Sequence, residues 1–110
     1  MSSSYITDES PAGAYETIAV STAVVAPTAG NITSNQAGGF YKRAVKIFMT
    51  VETNSIRVTW DGTTPVAATT GHLLTAGSSL TVIGEQNVSR LKMIRSTADA
   101  TVQVTYYYNL

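Results

Sequence analysis

Alternation of apolar and polar residues is the clearest pattern in this chain, and its period of two is typical of β-strands. It is strongest in residues 40–53, where an apolar residue occurs at every second position: Val45, Ile47, Met49 and Val51. Because successive side chains of a strand point to opposite faces, the pattern predicts one long strand with a buried side and a more polar side. Phe48 is the exception, since it falls on the polar side.

Further strands are predicted wherever this alternation returns between turn residues, at 14–25, 55–60, 72–74, 80–83, 91–95 and 101–108. Turn-forming residues separate these runs at intervals of about 8 to 12 residues, a spacing typical of β-sandwiches and barrels. The connections are predicted as a loop at 27–39, a segment of small residues at 66–71 and a turn at 84–89. We therefore predict an all-β fold, a small β-sandwich or jelly-roll-like barrel, with negligible helix.

The apolar side of these strands predicts the centre of the hydrophobic core. Its expected members share one face of their strands: Val45, Ile47, Met49, Ile56, Val58, Trp60, Val102, Val104 and Tyr106. Tyr107 lies between Tyr106 and Tyr108, so it is expected to point away from the core. Because an exposed tyrosine is a good interface anchor, Tyr107 is a candidate interface residue.

Residues 1–13 differ from the rest of the chain, since they are rich in Ser and show neither strand nor helix periodicity. They predict an extended N-terminal arm, followed by a single β domain at 14–110. Tyr5 and Ile6 supply large apolar side chains in this arm. We expect these two residues to insert into a groove of a neighbouring subunit.

Low charge distinguishes the composition of the chain. Charged residues make up 13% of its 110 positions, whereas soluble domains average about 25%. Seven basic residues balance seven acidic ones. Six of the basic residues form two small groups, around Lys46 and Lys92, and neither is large enough for the phosphate neutralisation on which nucleic-acid binding depends. We therefore expect no nucleic acid among the partners.

Membrane association and cysteine chemistry are not expected either. No stretch of the sequence is long and apolar enough to span a bilayer, and the N-terminus lacks a signal-peptide pattern. The chain contains no cysteine, so it has neither a disulfide framework nor a cysteine metal site.

His72, the single histidine, is the natural starting point in a search for catalytic or metal-binding residues. A metal site would need further His, Cys or clustered carboxylates, and the acidic residues are scattered along the chain. No motif pairs an activated nucleophile with a base, and no glycine-rich loop leads into a helix. We therefore expect no enzymatic activity, no catalytic residue, no metal site and no cofactor, with His72 a partly exposed residue at the start of a strand.

Trp60 and Asp61 allow two interpretations. An aromatic ring beside a carboxylate is a suitable platform for a sugar. Trp60 is nevertheless in phase with Ile56 and Val58, which favours a place in the core. A lectin would instead expose Trp60 or another aromatic residue in a groove beside Asp61.

Turn residues and alternating segments in the second half of the chain are similar to those of a known class of proteins. They are Ile56-Arg57-Val58-Thr59, Asp61-Gly62-Thr63-Thr64-Pro65, Gly71-His72-Leu73-Leu74, Gly77, Gly84, 91–95 and 99–106. Over residues 56–106 the chain resembles small virion structural proteins of tailed bacteriophages, of the capsid cement or decoration type. The resemblance implies an architectural role and carries over no functional residue.

Together these features predict a bacteriophage capsid cement protein that binds the outer shell and bridges capsid subunits. The expected partners are the major capsid protein or other virion proteins, and further copies of the chain, with a trimer favoured. Assembly into the virion would take place in the host cytoplasm. Two alternatives remain open: a neck, tail or fibre component of the virion, or a carbohydrate- or receptor-binding β module.

Overall fold

The computed structural model describes residues 11–35 and 41–109, which form eight strands and two short helices. The strands are β1 (Ala12–Val20), β2 (Thr33–Asn35), β3 (Tyr41–Glu52), β4 (Ile56–Thr59), β5 (His72–Leu74), β6 (Ser79–Ile83), β7 (Lys92–Arg95) and β8 (Ala100–Tyr108). The helices are α1 (Ala29–Ile32) and α2 (Glu85–Ser89), each about one turn long. The predicted all-β fold is confirmed, and its form is a sandwich of two antiparallel sheets.

The larger sheet has the strand order β1-β8-β3-β2, and β6 pairs with a different part of β3. The smaller sheet has the order β5-β4-β7. The long strands β3 and β8 lie side by side at the centre of the larger sheet. Their inward side chains, together with those of β1, β4, β6 and β7, form most of the hydrophobic core between the sheets.

Most of the predicted core is confirmed, because these residues are fully buried: Ile47, Met49, Ile56, Val58, Val102, Val104 and Tyr106. The prediction that Val45 lies at the centre of the core is wrong. The pairing of β3 with β8 shifts register between Ala44 and Lys46, so Val45 is the extra residue of a β-bulge. Ala44 takes the fully buried position, and Val45 is only half-buried.

The segment predicted as one strand at 14–25 serves both sheets. Strand β1 ends at Val20, after which the chain crosses to the smaller sheet. There Val25 and Met93 exchange two backbone hydrogen bonds, of 2.9 and 2.8 Å. A chain that changes sheets in this way closes one corner of a sandwich.

Three other boundaries also differ in detail from the prediction. Strand β1 begins at Ala12, so the last two residues of the predicted arm belong to it. The predicted turn at 84–89 contains helix α2, which buries Val88 in the core. The predicted loop at 27–39 includes α1 and β2.

A polar cluster of Glu16, Thr28 and Tyr106 joins the chain before α1 to the larger sheet. The Glu16 carboxylate accepts hydrogen bonds from the Thr28 backbone N–H at 3.1 Å, from the Thr28 hydroxyl at 2.7 Å and from the Tyr106 hydroxyl. Burial raises the pKa of Glu16, but the bonds from Tyr106 and Thr28 outweigh it, so the pKa lies below its ordinary value. Burial and the nearby carboxylate raise the pKa of Tyr106, which keeps its hydroxyl a donor.

Candidate functional site

The outward-pointing side chains of β1, β8, β3 and β6 form a broad surface, which we call the outer face. Its strands are in register, so its residues lie in rows across the sheet. Tyr15, Thr105, Phe48 and Thr81 form one row, and Tyr107, Lys46 and Ile83 form the next. The fold therefore brings aromatic and aliphatic residues from four separate strands onto one surface.

Several large apolar side chains of the outer face are open to solvent. The exposed fractions are 63% for Tyr15, 39% for Phe48 and 68% for Ile83. Tyr107, the predicted interface residue, lies on this face, whereas Tyr106 and Tyr108 are buried. The Lys46 ammonium lies 4.3 Å from the centroid of the Tyr107 ring, which is a cation–π contact. An exposed apolar surface of this kind is typical of an interaction site.

Gln103 organises the polar part of the outer face. Its side-chain oxygen accepts hydrogen bonds from the Tyr15 hydroxyl and, at 2.7 Å, from the Thr17 hydroxyl. Its amide nitrogen donates to the Glu52 carboxylate at 3.2 Å. One amide group on β8 thus holds side chains of both neighbouring strands, β1 and β3, and the surface is ordered before any partner binds.

The outer face carries little net charge, because the charged side chains among its described positions are Arg43, Lys46 and Glu52. Several charges of the protein are neutralised in pairs. Arg43 contacts Glu85 at 3.2 Å, and Arg95 contacts Asp99 at 2.6 Å. The two basic groups seen in the sequence are therefore interrupted by acidic partners.

A small cleft, which we call the Trp60 cleft, lies at one end of the sandwich where β4 is connected to β5. Val58 pairs with His72, so both side chains project from the same face of the smaller sheet. Trp60 projects from this face too, two residues beyond Val58. The Trp60 and His72 rings stack with centroids 4.9 Å apart and 19° between their planes.

The cleft has a volume of about 310 Å³, at the lower end of the range for ligand pockets. Its walls combine the two rings with hydroxyl, carboxylate and backbone groups: Thr59, Trp60, Asp61, Thr63, Thr70, Gly71 and His72. Asp61 accepts a hydrogen bond from the Thr63 backbone N–H at 3.0 Å. That bond is the main reason why the pKa of Asp61 lies below its ordinary value.

The connection that forms the cleft is fastened to the smaller sheet by Arg57. Its guanidinium donates hydrogen bonds to the carbonyl of Ala67 at 3.1 Å and to that of Gly71 at 3.0 Å. Gly71 adopts a φ of +114°, and a Cβ there would lie 3.2 Å from the Val58 nitrogen. The chain therefore needs glycine where it turns back into β5.

Trp60 lies on the predicted side of its strand, but the prediction that it belongs to the centre of the core is wrong. It packs against the core cluster but is only partly buried, and it lines the cleft beside Asp61. This is the position that the sequence associated with a sugar platform. His72 is exposed at the start of β5, as predicted, but its stacking on Trp60 was not foreseen. The Trp60–His72 contact depends on strand pairing, which alternation alone does not reveal.

The other predicted interface residues, Tyr5 and Ile6, lie outside the described residues. Across residues 11–35 and 41–109, no group of three or more His, Asp or Glu side chains is placed to hold a metal ion. In the same ranges, neither helix has the length and hydrophobicity required to cross a membrane.

Comparisons with protein-family models, curated proteins and solved structures find no match to this chain.

Proposed function

We propose that the protein is a structural component of a bacteriophage virion, a capsid cement protein that binds the outer shell and bridges its subunits. The observation that supports this proposal is the outer face of the larger sheet. It is weakly charged, carries exposed aromatic and aliphatic side chains, and is ordered by Gln103. The resemblance to phage virion proteins that turn residues and alternation suggest for residues 56–106 favours the same role.

The composition of the outer face suits protein association. Interface centres are enriched in aromatic residues and depleted in charge, which describes the surface around Tyr15, Phe48 and Tyr107. Because Gln103 already holds Tyr15 and Thr17 in place, less side-chain entropy is lost on binding. A cement protein adds many such modest contacts over a symmetric shell, and together they stabilise it.

The edge of the larger sheet offers a second kind of contact. Strand β1 pairs with β8 on one side and lies at the end of the strand order. Within residues 11–35 and 41–109, no strand pairs with the other edge of β1, so this edge can accept an extended segment as an added strand. An N-terminal arm from a neighbouring subunit is such a segment, and we propose that the arm makes part of the attachment.

Phe48→Glu is expected to weaken binding to capsids at least tenfold, because it places a charge at the centre of the outer face; tenfold corresponds to about 1.4 kcal/mol. The assay is co-sedimentation with particles of the phage that encodes the chain, grown without this protein. Leu73→Glu is the matched control, since Leu73 is an exposed apolar residue on the smaller sheet. Equal binding of the Phe48→Glu and wild-type proteins would contradict a role for the outer face.

Deletion of residues 1–10 is expected to leave the β domain folded and to reduce binding to the same particles. The domain should remain folded because the deletion stops before β1 and before Pro11, whose carbonyl accepts a 3.0 Å hydrogen bond from the Tyr108 N–H. Thermal melting curves check folding, and co-sedimentation checks attachment. Unchanged binding would assign the attachment to the outer face alone.

Copy number distinguishes the cement role from a neck, tail or fibre position. A protein that decorates the shell should be present in numbers comparable to the major capsid protein, whereas a neck component should be far rarer. Quantitative mass spectrometry of purified virions measures this ratio. A low ratio would move the proposal from the shell to the neck or tail.

A further inference from the structure

We infer that the Trp60 cleft is a binding site for a neutral hexopyranose, either free or at the end of a glycan chain. The inference goes beyond the proposed assembly role, because the cleft is formed by the β4–β5 connection and not by the outer face. It rests on the aromatic pair, on the polar groups around it and on the charge of the cleft walls.

The aromatic pair supplies the apolar surface that a sugar ring needs. One face of a pyranose carries C–H groups, which pack well against the face of an aromatic ring. Trp60 and His72 stack almost in parallel, so each ring covers one face of the other, and the exposed His72 ring offers its remaining face to a sugar.

The polar groups of the cleft match sugar hydroxyls. The Thr63 hydroxyl bonds to Asp61 and the Thr70 hydroxyl lies 3.2 Å from that of Thr69, but both oxygens keep acceptor capacity, and Asp61 carries an exposed carboxylate. A carboxylate has about four acceptor positions, so Asp61 retains capacity after binding Thr63. A carboxylate acceptor forms stronger hydrogen bonds with sugar hydroxyls than a neutral acceptor does.

The charge of the cleft selects neutral sugars over acidic ones. Asp61 is the ionised acid among the lining residues, and no Lys or Arg belongs to the described lining. A uronic or sialic acid would place its carboxylate near that of Asp61, and the neighbouring cation, Arg90, lies outside the lining and already acts on Asp61, whose pKa it lowers. With its volume of about 310 Å³, the cleft also limits the occupant to a small molecule or to the terminal unit of a chain.

The cleft is held in shape without a ligand. Arg57 fastens the backbone at Ala67 and Gly71. Across the cleft wall, the Thr59 hydroxyl donates a 2.5 Å hydrogen bond to the Thr63 carbonyl, next to Asp61. Both sides of the connection are thus fixed to the smaller sheet, and a ligand would find the site preformed.

Tryptophan fluorescence tests the inference directly, since Trp60 is the only tryptophan in the chain. The probes are methyl α-glucopyranoside, methyl β-galactopyranoside and N-acetylglucosamine, titrated into the full-length protein, with glucuronic acid as the acidic comparison. At least one neutral probe should change the emission of Trp60 in a saturable way. For a single ring we expect a dissociation constant on the order of 1–10 mM. Glucuronic acid should bind at least tenfold more weakly.

Two variants in the cleft should each weaken this binding at least fivefold while leaving Trp60 as the reporter. Asp61→Asn removes the charged acceptor, and His72→Ala removes the exposed ring of the stacked pair. Leu73→Ala is the matched control, because Leu73 is exposed on the same strand and points to the opposite side from His72. It should bind like the wild type, as should Phe48→Glu on the outer face. Circular dichroism verifies that every variant is folded.

Three results would overturn the inference. The first is an emission spectrum that no neutral probe changes up to about 100 mM, well above the affinity expected for a single ring. The second is a preference for glucuronic acid over every neutral sugar. The third is binding that survives in folded Asp61→Asn and His72→Ala proteins, which would place the sugar elsewhere. None of these results bears on the capsid assay, so the two proposals can fail independently.

Discussion

The Val58→Asp variant should not fold. Val58 is fully buried at the centre of β4, between the two sheets and among the core residues. An aspartate there would have to bury an unpaired carboxylate or remain protonated, and either alternative costs several kcal/mol, which is comparable to the whole stability of a small domain. The expected result is insoluble protein, or a far-UV spectrum without β-structure and no cooperative melting transition.

Two companion variants separate the effect of charge from the effect of position. Leu73→Asp places the same charge on the neighbouring strand β5, where Leu73 is half exposed, and it should fold with almost unchanged stability. Val58→Ala should fold but lose about 2–3 kcal/mol of unfolding free energy, because it leaves a small cavity. A soluble Val58→Asp protein that melts cooperatively would show that the interior of the sandwich is not where the structure places it.

Glu16→Gln is expected to lower the free energy of unfolding by about 1 kcal/mol at neutral pH, since it weakens hydrogen bonds to a charged acceptor in a partly solvated site. In the wild type the pKa of Glu16 is lower in the folded state than in the unfolded chain. Below about pH 4.5 the unfolded chain therefore binds a proton that the folded protein does not, and stability falls. The Glu16 contribution is complete above this pH and disappears as the pH drops through the folded pKa.

Chemical denaturation of both proteins between pH 7 and pH 3 measures this effect. The difference in stability between wild type and Glu16→Gln should be largest at pH 7 and should shrink towards pH 3. Hydrogen bonds also lower the pKa values of Asp61 and Asp99, but these bonds are present in both proteins. The contributions of Asp61 and Asp99 therefore cancel in the difference. Glu85→Gln is the control, because its ion pair with Arg43 is exposed and should contribute little. A difference that is the same at both pH values would contradict the role assigned to the Glu16 carboxylate.

Tyr106→Phe provides an independent check on the same cluster. It removes the hydroxyl that donates to Glu16 while keeping the buried ring. The losses in Glu16→Gln and Tyr106→Phe should not add in the double variant, because the two residues share one interaction.

Local patterns predicted most of the strands because the alternation that identifies a strand lies within that strand's own residues. In β8 the apolar positions Val102, Val104 and Tyr106 alternate with polar ones over the whole length, and the structure buries the first set. The turn at Asp61-Gly62 was predictable for the same reason, since Gly62 adopts a φ of +94° that glycine tolerates. Such features depend on residues that are neighbours in the chain.

The sequence-based predictions are wrong where the structure of one segment depends on its pairing with another segment. The bulge at Val45 depends on how β3 pairs with β8, so alternation continued through it without any sign of a shift. Val25 looked like the end of a strand, and only its pairing with Met93 shows that the chain has changed sheets. Helix α2 is too short for a helical period to be visible in the sequence.

The sequence by itself determined the fold class, the identity of most core residues and the low charge of the surface, because composition and a period of two require no knowledge of partners. Only the tertiary structure decided which surfaces result. The outer face collects Tyr15, Phe48 and Ile83 from three strands, and the Trp60 cleft exists because Val58 pairs with His72 and brings two aromatic rings together. These sites depend on sheet register and strand order, which are set by the packing of the whole chain. Neither property can be recognised from the local sequence around the residues that form the sites.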